Sequence, residues 1–405
     1  MTDPVPPDPA GPDAGHDPDA AGGPAPAGSA QRGPLDGVRV IELGGIGPAP
    51  FAGMLLADLG ADVVRVDRPA DRGRVPSDGS QILHRGKRSI CLDLKNPADT
   101  ALFLRLAAKA DVVIEASRPG VAERLGVGPD DVLAVNPRIV YGRMTGWGQT
   151  GPKAKTAGHD VGYIAGTGLL HAIGDKSTPQ IPLALVGDFG GGALYLVVGV
   201  LAALHTAQRS GTGQVVDAAI VDGAAHLGTL VYGMLAAGHW RDERQSNLMD
   251  GGTPFYALYE TSDNKHMAVG PLEPKFYDEF INLLAPGDEL PSRGDQAAWP
   301  ALREQIAARF RTRTRDEWTA VFAGSDACVE PVLSLEEALE DEHLMARGTF
   351  VDLGGVRQPA PAPRFSRTPD SIASPPCVPG EHAHEVLADW GVESAADQAR
   401  ATSWT

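Results

Sequence analysis

Apolar residues run in short blocks through the first half of the chain, separated by glycine- and proline-rich turns. Val38-Arg39-Val40-Ile41-Glu42-Leu43 is nearly continuous in its apolar character, the pattern of a strand covered on both faces. A glycine-rich turn follows, then a helix predicted from about Ala49 to Leu59, then a second apolar run, Asp62-Val63-Val64-Arg65-Val66. Strand, helix and strand in that order open a βαβ unit with a parallel sheet. Residues 99–109 read as a helix, 111–115 and 138–143 as strands, and a Gly/Thr-rich turn occupies 145–152. Because the alternation persists, the expected fold class is α/β, with a doubly wound, Rossmann-like large domain.

A long helix is predicted over 190–209, opened by three glycines and stopped by Ser210-Gly211-Thr212-Gly213. Residues 214–220 read as a strand, and the pattern is then apolar and helical to near Gly238. Residues 251–340 bring a new strand–strand–helix group with its own Trp and Phe, expected to form a smaller α+β domain. The proline-rich stretch 359–363, with Arg364-Phe365-Ser366-Arg367-Thr368-Pro369, reads as an extended crossing segment, and the last helical stretch, Glu381 to Trp390, as a return to the first domain. The predicted organisation is a tail over 1–34, the first part of the large domain over 35–220, a helical linker over 221–250, an inserted small domain over 251–340, and the crossing and return over 341–405.

The tail is rich in Pro, Ala, Gly and Asp and has no apolar core, so it is expected to be disordered and not to act as a secretory signal. The longest apolar run, Ala193 to Leu204, is shorter than a bilayer requires and reads as a buried helix. A formal charge of −17 over 405 residues argues against bulk attraction to nucleic acid or an anionic membrane. Cys91, Cys328 and Cys377 are scattered, which indicates neither a disulfide framework nor a zinc site and fits the cytoplasm. Cys328, in Ser325-Asp326-Ala327-Cys328-Val329, reads as a small buried residue.

One window departs from the acidic balance. Residues 65–95 hold Arg65, Arg68, Arg72, Arg74, Arg85, Lys87, Arg88 and Lys95 against Asp67, Asp71, Asp78 and Asp93, a local excess suited to one phosphate-bearing ligand or to a solvated loop. The turn Gly44-Gly45-Ile46-Gly47-Pro48-Ala49-Pro50 raises the possibility of a dinucleotide site, but Pro50 stands where the fingerprint wants Gly or Ala, and Pro48 removes an N–H. The NAD reading is weak.

Three stretches carry acid–base candidates: Gly158-His159-Asp160, Val186-Gly187-Asp188-Phe189-Gly190, and Gly270-Pro271-Leu272-Glu273-Pro274. Glycine and apolar neighbours can hold titratable groups in a partly dry cleft, where proton affinities shift toward neutral pH. The structural alternative is that Asp160 and Asp188 cap helices and Glu273 is a solvated loop residue.

Leu35-Asp36-Gly37-Val38-Arg39-Val40-Ile41-Glu42-Leu43, Ala61-Asp62-Val63-Val64-Arg65-Val66-Asp67-Arg68-Pro69, Met144-Thr145-Gly146-Trp147-Gly148-Gln149-Thr150-Gly151-Pro152 and Ala157-Gly158-His159-Asp160 together resemble the α-methylacyl-CoA racemases, members of the third family of CoA transferases. The resemblance runs from Leu35 to the final helix. It implies a racemase exchanging the α-proton of 2-methylacyl-CoA thioesters without metal or redox cofactor, CoA being part of the substrate. It implies that His159 and Asp188 transfer the protons, that Glu273 assists the histidine, and that Asp160 lies beside the thioester. It also implies an intertwined homodimer with Glu273 reaching the site from the partner subunit. For CoA it implies a groove of Arg68, Leu92, Asp93, Leu94, Lys95, Ser117, Arg118, Arg124 and Gly158, with Ser117 standing where the family often has an aromatic residue.

Three rivals stay open at this point. A CoA transferase of the same fold would use Asp160 as a covalent nucleophile. An NAD-dependent oxidoreductase rests only on the glycine turn. A non-catalytic acyl-CoA binding module would keep the basic groove but has no need of four titratable groups.

Overall fold

A computed structural model describes residues 33–74, 79–368 and 372–392. Apart from its last two residues, the tail expected to be disordered lies outside them.

The runs that read as buried strands form one parallel sheet. β1 (Arg39–Leu43), β2 (Asp62–Asp67), β3 (Arg88–Cys91), β4 (Val112–Glu115), β5 (Val140–Thr145) and β6 (Val215–Ala219) stand in the spatial order β3-β2-β1-β4-β5-β6. Every neighbouring pair is parallel, with Ile41 against Val64 and Val113, and Gly142 against Val216. Alternate residues serve opposite faces. Ile41, Val64 and Val113 join the core under helix Pro97–Ala107, whereas Val40, Val63 and Val112 join the core under helices Pro48–Asp58 and Tyr195–Ser210. The chain leaves the sheet centre in opposite directions from β1 and β4. Their carboxyl ends therefore flank the crevice where such sheets bind ligands.

β7 (Ala257–Glu260), β8 (His266–Val269) and β9 (Val329–Pro331) form a separate antiparallel sheet. Helices Pro274–Leu284, Trp299–Phe310 and Arg315–Phe322 cover it around an aromatic core in which Phe310 stacks on Tyr259 at 5.3 Å and meets Trp318 at 5.2 Å. A hairpin of β10 (Phe350–Leu353) and β11 (Val356–Pro359) follows, and Arg85 of the large domain donates to Gln358 Oε1 and to the Pro359 carbonyl. The closing helix, Ala383–Asp389, lies against β3. Ala383, Val386, Leu387 and Trp390 enter the large domain's core, and the indole N–H of Trp390 bonds Asp62.

Several elements depart from the sequence reading. The long helix begins at Leu185 rather than at residue 190, and its first stretch, Leu185–Leu194, is a π-helix that passes into α-helix at Tyr195. Glycines at 187 and 190–192 allow the wider turn and let helix Ile220–Leu227 press backbone to backbone on it, where a Cβ at Gly191 or Gly223 would overlap the neighbouring chain. Helix Ile220–Leu227 thus belongs to the large domain's packing and is no linker; the helical stretch breaks at Gly228, and a second helix runs Thr229–Ala236. Leu185–Ser210 as a continuous helix is 26 residues, long and apolar enough to cross a membrane by length and composition, not the shorter run expected. Its Leu196, Val200 and Ala203 are packed in the sheet core. Cys328 is exposed, because φ of 52° turns it out between the buried Ala327 and Val329.

Candidate functional site

A cavity of about 450 Å³ opens at the carboxyl ends of β1, β4 and β5. Gly45, Ile46 and Pro48 come from the turn after β1, Ala116 to Pro119 from the turn after β4, and Thr145, Gly146 and Trp147 from the end of β5. Gly158, His159 and Tyr163 close one side and Asp188 another. Four of the residues singled out from sequence, Ser117, Arg118, Gly158 and His159, therefore meet Asp188 in one space.

His159 occupies the N-cap position of helix Asp160–Gly166, but its side chain makes no capping bond. Asp160 does not cap that helix either. Its side chain turns inward, only 7% of the residue is exposed, and Oδ1 accepts the backbone N–H of Asp188 at 2.7 Å. Oδ2 is buried without a hydrogen-bond partner. This approach requires glycine at 187, where a Cβ would overlap Oδ1 of Asp160. Asp188 itself sits in the first turn of the π-helix and does not cap it, the N-cap being Ala184 with φ of 62°.

Burial, reinforced by the neighbouring Asp160 charge and opposed by His159, pushes the Asp188 carboxyl up to about 6. Its Oδ2 lies 3.1 Å from where a Cβ on Gly47 would stand, facing the glycine turn. Pro48 and Pro50 remove two donors from the helix start at that turn, so the carboxylate gains no compensating bond from them. A carboxylate facing this turn is also a poor neighbour for a pyrophosphate, which weakens the dinucleotide reading further.

The raised affinity has a measurable cost. Asp188 titrates from an ordinary value of 3.8 and reaches about 6 when folded, so between those pH values the folded state holds more protons and stability falls as pH rises. About one pH unit above 6 the loss is complete. Asp188→Asn is expected to raise the unfolding free energy measured in urea at pH 7.5, by on the order of 1 kcal/mol after allowance for partial exposure, and to raise it less at pH 5. Equal unfolding free energies for the two proteins at both pH values would contradict the assignment.

The other predicted site residues lie apart from this cavity. Arg68, Leu92, Asp93, Leu94 and Lys95 follow the carboxyl ends of β2 and β3, and Arg124 ends the short helix Val121–Arg124. Leu92 is 2% exposed and belongs to the core, which leaves only its backbone within reach of a ligand. Lys95, Arg118 and Arg124 are exposed, and Arg68 pairs with Asp71 at 2.8 Å. The basic window as a whole is not a free positive patch. Arg65 pairs with Asp67, Arg85 with Asp58, Lys87 with Glu42 and Arg88 with Asp62, all at 2.6–2.7 Å. Asp78 of that window falls outside the described residues. Glu273 is exposed at the N-terminus of helix Pro274–Leu284, in the small domain, and does not line the cavity of His159 and Asp188.

Ile46, Trp147 and Tyr163 line the cavity without having been singled out individually. Tyr163 was findable, since it lies four residues after His159 and a helix start brings such positions together. Tyr163 bonds the Gly158 carbonyl, and burial together with the Asp188 charge raises its phenol above the usual range.

The cavity lies at the switch point of a parallel sheet and carries an imidazole beside a near-neutral carboxyl. The family model described as CoA-transferase family III matches residues 35–383. The chain belongs to CoA-transferase family III. Among its relatives in this family, the alpha-methylacyl-CoA racemase of Mus musculus is 44% identical over 362 residues, 88% of this chain and 93% of that protein. The Homo sapiens protein of the same name is 42% identical over equal shares. A succinyl-CoA–D-citramalate CoA-transferase from Chloroflexus aurantiacus is 32% identical, across 88% of this chain and 94% of that protein. A solved CaiB/BaiF family protein from Brucella suis superposes with a TM-score of 0.76 at 29% identity, covering 89% of this chain and 100% of that one. The relatives in CoA-transferase family III thus carry the names of both racemases and transferases.

Proposed function

We propose that this enzyme is an isomerase that interconverts the two epimers of 2-methylacyl-CoA thioesters, with His159 and Asp188 as its two acid–base groups. The observation that carries the reading is that both line one cavity and that the Asp188 carboxyl is poised near 6, able to give or take a proton at neutral pH. The racemase relatives at 42–44% identity point the same way.

Removing the α-proton leaves a planar enolate, so inversion needs a second group that protonates the other face. One base alone would only exchange the proton. The charge that develops on the thioester oxygen would be met by the first peptide N–H groups of helix Asp160–Gly166. These steps use protein groups alone, with CoA as part of the substrate. Arg118 at the cavity, with Arg68, Lys95 and Arg124 along the sheet ends, would face the CoA phosphates.

The transferase alternative needs Asp160 to attack the thioester carbon. Its small exposure and its bond to the Asp188 N–H speak against that role. In heavy water the wild-type enzyme is expected to place deuterium at the α-carbon while converting either epimer of a 2-methylacyl-CoA into the mixture. Turnover that waits for an added carboxylic acid acceptor, with no exchange in its absence, would sink the racemase reading.

Homodimerisation completes the proposal. Glu273 stands outside its own chain's cavity, and a separate apolar hollow of about 1010 Å³ lies between the helices after Gly168 and the small-domain sheet. Leu183, Val198 and Leu230 leave further apolar surface exposed, as expected of faces that pair. The partner subunit's Glu273 would then support His159. Refolding a mixture of inactive His159→Ala and Glu273→Ala chains should restore activity, because one hybrid site receives both wild-type groups. Mixed dimers with no recovery would return Glu273 to its own chain or remove it from catalysis.

A further inference from the structure

Tyr163 is bonded to both carbonyls that bracket His159. Its backbone N–H donates to the His159 carbonyl at 3.2 Å, and its hydroxyl donates to the Gly158 carbonyl at 2.5 Å. The hydroxyl proton is thereby directed at the peptide that leads into the histidine. The ring fills space that two glycines leave: a Cβ on Gly146 would overlap it, and one on Gly158 would lie 2.5 Å from its edge. Trp147 meets the ring edge-on at 4.9 Å and 85°. Gly146 and Trp147 follow directly on β5, so the ring ties the start of helix Asp160–Gly166 to the rigid end of the sheet.

His159 has no such support of its own. It is exposed, its backbone is extended at φ −137° and ψ 169°, and its imidazole makes no capping bond to the helix it precedes. A base in that setting is aimed by its backbone, and small misplacements of reacting groups cost rate steeply.

We propose that Tyr163 is the positioning residue for His159, its hydroxyl and ring together fixing the peptide from which the imidazole enters the cavity. The inference rests on the reading that His159 and Asp188 serve opposite faces of the substrate. Asp188 is held by a different contact, the bond from its N–H to Asp160, so losing Tyr163 should injure one half of the reaction and spare the other.

The test is α-proton exchange followed separately on each epimer, with His159→Ala identifying the epimer that depends on the histidine. In Tyr163→Phe, exchange of that epimer is expected to fall about tenfold, with exchange of the other and the apparent KM each within about twofold. Gly158→Ala, whose methyl would push the ring aside, should show the same one-sided loss, and thermal unfolding reports whether each variant is folded. Equal loss on both epimers, or no loss on either, in folded Tyr163→Phe overturns the assignment. If His159→Ala fails to separate the epimers, the two-base reading falls instead. Tyr163 is then judged on kcat alone: a loss at unchanged KM keeps its role, and an unchanged kcat removes it.

Discussion

Replacing His159 or Asp188 by alanine is expected to slow racemisation by about 10²–10⁴, the usual cost of losing a general acid–base group, while leaving part of the proton exchange intact. In the proposed mechanism inversion uses both groups in each direction, one to remove the proton and the other to return it. Exchange needs only one. Each variant should therefore still exchange the proton of a single epimer, and the two variants should favour opposite epimers. The Asp188→Ala change is also a clean one, because Asp160 accepts from the backbone N–H at position 188, which alanine keeps. Near wild-type racemisation in both variants would refute the two-base reading. So would loss of activity only in Asp160→Ala together with a trapped acyl-enzyme adduct, an outcome that installs the transferase in its place.

The second large effect concerns folding rather than chemistry. Lys87 and Glu42 are both wholly buried and pair at 2.6 Å, and the ammonium also donates to the Pro50 carbonyl at 2.8 Å. Burial lowers the lysine's proton affinity, and the Glu42 charge works against that fall. Glu42→Ala would leave an ammonium in the core without its counter-charge, at an expected cost of about 3–5 kcal/mol in unfolding free energy, measured in urea near pH 7. A buried lysine with lowered affinity is protonated more in the unfolded chain than in the folded one. The variant's stability should accordingly rise with pH as the lysine is released from its charge, and its deficit should shrink toward pH 9.5. Replacing both partners, as Glu42→Leu with Lys87→Met, should recover most of the loss. A single-variant loss below about 1 kcal/mol, or a double variant no better than the single, would contradict this account.

How much of this was legible in advance depends on where each signal is written. The apolar runs around Val40, Val64 and Val113 predict a parallel sheet because each strand is covered on both faces and is apolar throughout. β3 left no such mark, being four residues long with Arg88 at its head and a basic stretch before it. The π-helix was equally silent, since a run of glycines has no side-chain period to read. Charge counting misjudged the basic window for a definite reason. Asp58 and Glu42 lie 27 and 45 residues before the cations they neutralise, so only the folded chain shows which positive groups are spent. Cys328 misled because its neighbours are indeed buried and a single left-handed residue reverses the side. His159 and Asp188 were recognisable as residues, but the contact of Asp160 with the Asp188 peptide spans 28 positions and left no trace in the sequence.

The closing helix sets the order in which the two cores can be completed on the ribosome. Ala383, Val386, Leu387 and Trp390 share a core with Ile41, Val64 and Ile90, so that layer stays incomplete until residues 383–390 have been made. The smaller domain draws its core entirely from Phe255 to Val329 and has all its parts earlier. During translation the later-made unit can therefore settle first, while the first-made sheet waits with the part of one apolar face at β3 uncovered. For a nascent chain, that interval is the window of greatest exposure to aggregation and to chaperones.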